Sequence, residues 1–69
     1  MSRGKVKWYN VKNGYGFIEP EEGGRDIFVH VSAVEDAGIE SLKEGQRLEY
    51  DLKDNRGRKV AANLRLLSV

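Results

Sequence analysis

Sixty-nine residues, 39% hydrophobic and 33% charged, make one small domain that buries only about 60% of the surface its unfolded chain exposes. With no cysteine and one histidine, neither a disulfide framework nor a zinc staple is expected, and no apolar run approaches the roughly 18 residues of a membrane span. The net charge of +1 hides an uneven distribution: residues 1–18 carry Arg3, Lys5, Lys7 and Lys12, residues 55–69 carry Arg56, Arg58, Lys59 and Arg65, and all eleven acids lie between Glu19 and Asp54. Such acid-free ends are the footprint of a polyanion binder, or else they only solubilise the edges of a small β domain.

Five strands are predicted in chain order. The first, Lys5 to Asn10, follows an N-terminus with no signal-peptide pattern, so residence in the cytoplasm is expected. Val6 and Trp8 share a phase in it, yet Val6 suits the core and Trp8 the surface. A bulge would reconcile them; otherwise Trp8 is a core residue. The turn Asn13-Gly14 leads to the second strand, Tyr15 to Glu19, which Pro20 ends. Gly23-Gly24 precedes the third strand, Asp26 to Val31. Because strand side chains alternate, Tyr15 and Phe17 share one face, and Phe28 and His30 share a face with Asp26. Ile18, Ile27 and Val29 take the opposite, core-facing side. Aromatic rings left on the wet side forgo burial, and stacked nucleic-acid bases are the leading use for them.

Residues 32–45 form the one long connection. Ser32-Ala33-Val34-Glu35 matches a capping box, and Gly38 follows soon after, so about one helical or 3₁₀ turn is expected, with Ser32 as its cap. Gln46 to Lys53 is the fourth strand, Asn55-Arg56-Gly57 a turn, and Val60 to Leu66 the fifth strand. The predicted core is Val6, Ile18, Ile27, Val29, Val34, Leu42, Leu48, Tyr50, Val60, Ala62, Leu64 and Leu66. Tyr9 falls between core edge and rim. Five strands with one long excursion after the third predict an all-β, five-stranded antiparallel OB-type Greek-key barrel, whose binding face centres on strands two and three.

The ordered set Gly4-Lys5-Val6-Lys7-Trp8-Tyr9-Asn10, Gly14-Tyr15-Gly16-Phe17-Ile18 and Asp26-Ile27-Phe28-Val29-His30 closely resembles the bacterial cold-shock protein family. Ser32-Ala33, Glu44-Gly45-Gln46, Asn55-Arg56-Gly57 and Ala61-Ala62-Asn63 extend the resemblance over almost the whole chain. It implies one cold-shock domain over residues 1–69 that binds single-stranded RNA and DNA, with the motif RNP1 on Asn13 to Ile18 and RNP2 on Ile27 to Val31. RNA-chaperone behaviour, a role in transcription or translation and a stress response are implied with it. The chain departs from the family pattern at Asn13 (usually lysine), Val31 (often Phe), Ile39 (often aromatic) and Arg58 (commonly proline). Lost rings shorten the stacking platform, so Val31→Phe and Ile39→Phe are each expected to tighten oligonucleotide binding.

The candidate stacking residues are Trp8, Tyr15, Phe17, Phe28 and His30. Lys5, Lys7, Lys12, Arg56 and Arg58 are the candidate phosphate and rim contacts, with an attraction that falls as salt rises. Asp26 repels phosphate and would instead accept a hydrogen bond from a base edge, or is only a solvated carboxylate. Catalysis is not expected, because no nucleophile, base and orienting group fall together. No cofactor, metal, membrane or small-molecule substrate is implied, and a monomer is expected. Two other readings stay open: an OB module docking on structured ribosomal RNA through basic loops, and a β-barrel whose aromatic face takes a peptide.

Overall fold

The chain's first regular element, β1 (Ser2–Asn10), already touches two neighbours. Its Ser2–Lys5 half pairs with β4 (Arg47–Asn55), and its Gly4–Asn10 stretch pairs with β2 (Tyr15–Pro20), both antiparallel. β2 continues into β3 (Ile27–His30), and β5 (Arg58–Leu66) closes the cylinder between β3 and β4 in the order β1-β2-β3-β5-β4. This is the five-stranded barrel expected, in a computed structural model that describes residues 1–67. The closing β3–β5 pair is parallel, through Phe28 opposite Val60, and the other pairs are antiparallel.

β1 begins three residues earlier than predicted because Ser2, Arg3 and Gly4 lie opposite Tyr50, Glu49 and Leu48. That partner is more than forty residues away and leaves no local signal. A bulge does reconcile Val6 with Trp8: Val6 opposes Ile18, but Trp8 opposes Phe17, so β1 spends two residues where β2 spends one. Val6 stays in the core while Trp8 turns to the outer face beside Phe17.

β3 is shorter than predicted, since Val31 already starts α1 (Val31–Asp36). Ser32 is not the cap. His30 is, in extended geometry, and its Nδ1 accepts the Ser32 backbone N–H at 3.1 Å. The helix ends where Gly38, at φ 75°, donates to the Glu35 carbonyl and Ile39 to that of Val34. This pattern needs a left-handed residue, which suits glycine, and leaves an apolar residue just beyond to pack inward. Ile39 does so, half-buried against the core.

Val6, Ile18, Ile27, Val29, Val34, Leu42, Leu48, Tyr50, Ala61 and Leu64 fill the barrel. The predicted core is wrong at four places, all in β5. Ala61, outside the predicted core, is 1% exposed, Val60 and Ala62 are only half-buried, and Leu66 is 40% exposed. A second bulge causes the first three of these, whereas Leu66, in phase with Leu64, is exposed as the last residue of the strand. Glu49 opposes Arg65 and Asp51 opposes Ala62, so β5 spends three residues against two, with Asn63 at φ 51°. The inward phase therefore switches from Ala61 to Leu64. The Asn63 amide donates to Asp51 Oδ2 at 2.8 Å, which secures the kink.

Candidate nucleic-acid interface

The outer face of β1, β2 and β3 carries its rings in register. Trp8 opposes Phe17 across β1–β2, and Phe17 opposes Phe28 across β2–β3, giving a row of three rings over three strands. Tyr15 opposes His30 one step along. Centroid separations run from 5.4 Å for Trp8 to Tyr15, through 5.6 Å for Tyr15 to Phe28 and 6.0 Å for Phe17 to Phe28, up to 6.4 Å for Phe28 to His30. These are edge-to-face and offset distances, so the rings support one another. All but His30 are half-buried, and His30 is exposed.

Gly16 lets the strands approach this closely. A Cβ there would come within 2.7 Å of the Tyr9 Cα and meet the Trp8 carbonyl oxygen. Any side chain at Gly16 would push β1 from β2 and separate Trp8 from Phe17.

An open cleft of about 680 Å³ lies over Tyr15, Phe17 and Phe28 and is walled by Arg25, Asp26 and the Gly57–Lys59 stretch. Arg58 reaches over the Phe28 ring, its Cζ 5.2 Å from the centroid, in a cation–π contact. Lys7 Nζ donates to Asp26 Oδ2 at 3.0 Å, and this hydrogen bond, with the carboxylate's charge, raises the lysine's pKa above its ordinary value. The two residues thus answer each other in this structure. Lys59 lies 3.6 Å from Asp54, whereas among the described residues Arg25 and Arg58 take part in no ion pair.

The five candidate stacking residues are gathered on one face, and Asp26 and Arg58 border it. Lys7 adjoins through Asp26. Lys5 lies further along β1, in a separate depression with Glu19, Pro20 and Arg47. Lys12 is exposed in the turn after β1, where its backbone N–H donates to Asn10 Oδ1. Arg56 stands at the tip of the β4–β5 turn, at φ 56°, one residue before the cleft wall. Arg25 was missed. Its only sequence signal is a cation directly before Asp26, in a glycine loop whose path is not readable locally. His30 has a second task as the helix cap, which its position after Val29 did not reveal. Tyr9 resolves as a core-edge residue: it packs on the core, and burial, helped by the Glu35 charge, pushes its phenol up from the ordinary value.

The pattern that defines the "Cold-shock" DNA-binding domain matches residues 2–67. Cold shock protein CspA of Rhizobium meliloti (strain 1021) is 52% identical over 67 residues, covering 94% of this chain and 97% of that protein. Cold shock protein CspB of Geobacillus stearothermophilus is 49% identical over 67 residues, covering 96% and 100%. Cold shock-like protein CspE of Escherichia coli (strain K12) is 45% identical over 62 residues, 90% of each chain. With a barrel of the expected strand number and a match across nearly its whole length, this chain belongs to the cold-shock domain family.

Proposed function

We propose that this protein is a non-enzymatic binder of single-stranded RNA and DNA, built as one cold-shock domain and acting as a monomer in the cytoplasm. Unpaired bases stack on Trp8, Tyr15, Phe17, Phe28 and His30, while Lys5, Lys7, Lys12, Arg56 and Arg58 supply the cationic rim. The observation that carries this reading is the row of mutually touching rings on the outer face of three strands whose inner face is aliphatic core. Rings stack on any base, so the mode tolerates sequence, and its energy of about 1–3 kcal/mol per base is available only to bases that are not paired. Weak RNA secondary structure therefore melts on the protein, which suits an RNA chaperone acting in transcription or translation. The names of the relatives extend the proposal to cold adaptation.

Trp8, the only tryptophan, reports directly on the face. Titration with a short pyrimidine-rich single strand should quench its emission with a Kd on the order of micromolar or below, and the matching duplex should quench far less. Equal response to both, or none to the single strand, would overturn the reading.

A further inference from the structure

Arg58 opens β5 and sits across the closing seam of the barrel from Phe28. Its guanidinium lies 5.2 Å from the Phe28 centroid and lines the same cleft as Tyr15 and Phe17. No carboxylate among the described residues holds it by an ion pair, and the residue is exposed, so no ion pair has to break for it to lift. A guanidinium is planar, delocalised and weakly hydrated, and it lies flat on a nucleobase as readily as on a ring. Two stacked layers need about 7–8 Å, twice an ordinary carbon–carbon contact distance. The gap must therefore widen by about 2–3 Å on the same contact-distance arithmetic before a base fits between them.

We propose that Arg58 is a specificity-determining residue of the binding face: it lifts and then closes over one unpaired base, which is held between the Phe28 ring and the guanidinium. The proposal rests on the stacking reading above and adds a second wall to it. A one-sided platform accepts any exposed base. A two-sided slot admits only a base splayed out of a helix, so Arg58 sharpens discrimination between single strand and duplex. A lysine at this position would keep the charge but not the flat wall.

The test measures the affinity of the full chain for a short oligothymidine across a salt series, for wild type, Arg58→Ala, Arg58→Lys, Phe28→Ala and the double variant Phe28→Ala/Arg58→Ala. A thermal melt accompanies each variant. Arg58→Ala and Arg58→Lys should each weaken binding by about fivefold to tenfold, the scale of a cation–π contact. Arg58→Lys should leave the salt slope unchanged, and Arg58→Ala should change affinity less than about twofold when Phe28 is already absent, since coupled residues lose their interaction together. Wild-type affinity in Arg58→Lys, with a salt slope shallower by about 0.7 in Arg58→Ala, would make Arg58 a phosphate contact and overturn the proposal. Tighter binding by Arg58→Ala would also overturn it, since Arg58 would then only block the ring. If Phe28→Ala alone leaves affinity untouched, the stacking platform itself fails. If it weakens binding without coupling to Arg58, only the two-sided slot fails.

Discussion

β2 and β3 present two apolar faces from one stretch of backbone, and the two faces are built from different chemistry. Inward, Ile18, Ile27 and Val29 are at most 5% exposed and fill space between strands. Outward, Tyr15, Phe17 and Phe28 are half-buried, touch one another at 5.6–6.0 Å and line the open cleft that Arg58 partly covers. Branched aliphatics have rigid shapes that close-pack in a barrel. Rings give a broad flat surface with few rotatable bonds, which costs little entropy to present to a ligand. On the proposed stacking reading, stability and binding are therefore separable on the same two strands, residue by residue along the alternation.

The sharpest way to break that separation is a pair of truncations. Ile18→Ala should cost about 2–5 kcal/mol of stability in a denaturant melt, because it leaves a cavity in a fully buried site. Phe28→Ala should cost less in the melt and lose about 1–3 kcal/mol of oligonucleotide affinity. Unfolding by Phe28→Ala as severe as by Ile18→Ala would show that the outer rings are core after all.

Two enlargements ask where the faces end. Ile39 closes α1 and packs inward, so Ile39→Phe should destabilise by about 1–3 kcal/mol through overpacking, and it should not extend the platform as the family pattern implies. Val31 is half-buried beside His30, and its N–H donates to the Gly14 carbonyl at 2.9 Å next to Tyr15. Val31→Phe should therefore add a ring at that end and tighten binding several-fold in the Trp8 titration. An improvement from Ile39→Phe instead would reverse the assignment of the two positions.

Tyr50 tests the inner face by pH. It is 0% exposed, and its hydroxyl has no partner among the described protein atoms. Burial, with a smaller push from Glu22, raises its phenol above the ordinary value. The folded state thus favours the neutral form. Its contribution is fully present below the unfolded tyrosine pKa of about 10 and is lost as pH rises through the higher folded value. The melting temperature should fall on this alkaline limb, and Tyr50→Phe should flatten the fall. At neutral pH Tyr50→Phe should be neutral or stabilising by about 1 kcal/mol, since it removes a desolvated hydroxyl. A large loss at pH 7 would mean that the hydroxyl is satisfied.

Smallest in effect, Asp26→Asn frees Lys7 from its 3.0 Å partner at the edge of the outer face. Stability should hardly change, since exposed ion pairs contribute little. Single-strand affinity should rise modestly at low salt, and the salt dependence should steepen.

Sequence reading reached the outer face of β2 and β3 because neither strand carries a bulge, so simple alternation places every side chain. It reached the β1 bulge only because Val6 and Trp8 made conflicting demands on one phase. In β5 no such conflict exists: Val60, Ala62, Leu64 and Leu66 alternate plausibly, and Ala61 is too small to protest. The left-handed turn at Asn63 that resets the phase is favoured by its tertiary bond to Asp51, which no local pattern announces. The capping role of His30 is not legible, because the capping box at Ser32 offers a complete local explanation of the helix start. Arg25 and the posture of Arg58 over Phe28 depend on where two loops meet, information that exists only after the barrel closes.

The closure of that barrel has its own consequence. β3 and β5 meet through a single registered parallel pair, Phe28 with Val60, while every other seam is a longer antiparallel ladder. Parallel pairing is slightly less stable per residue, so amide exchange at this seam is expected to run ahead of exchange in the antiparallel ladders. A nucleotide gripped from both sides of this seam would act as a clasp, and amide exchange around Val29 and Val60 would slow when the ligand is bound. The seam with the fewest registered pairs is thus the one that such a ligand would bridge.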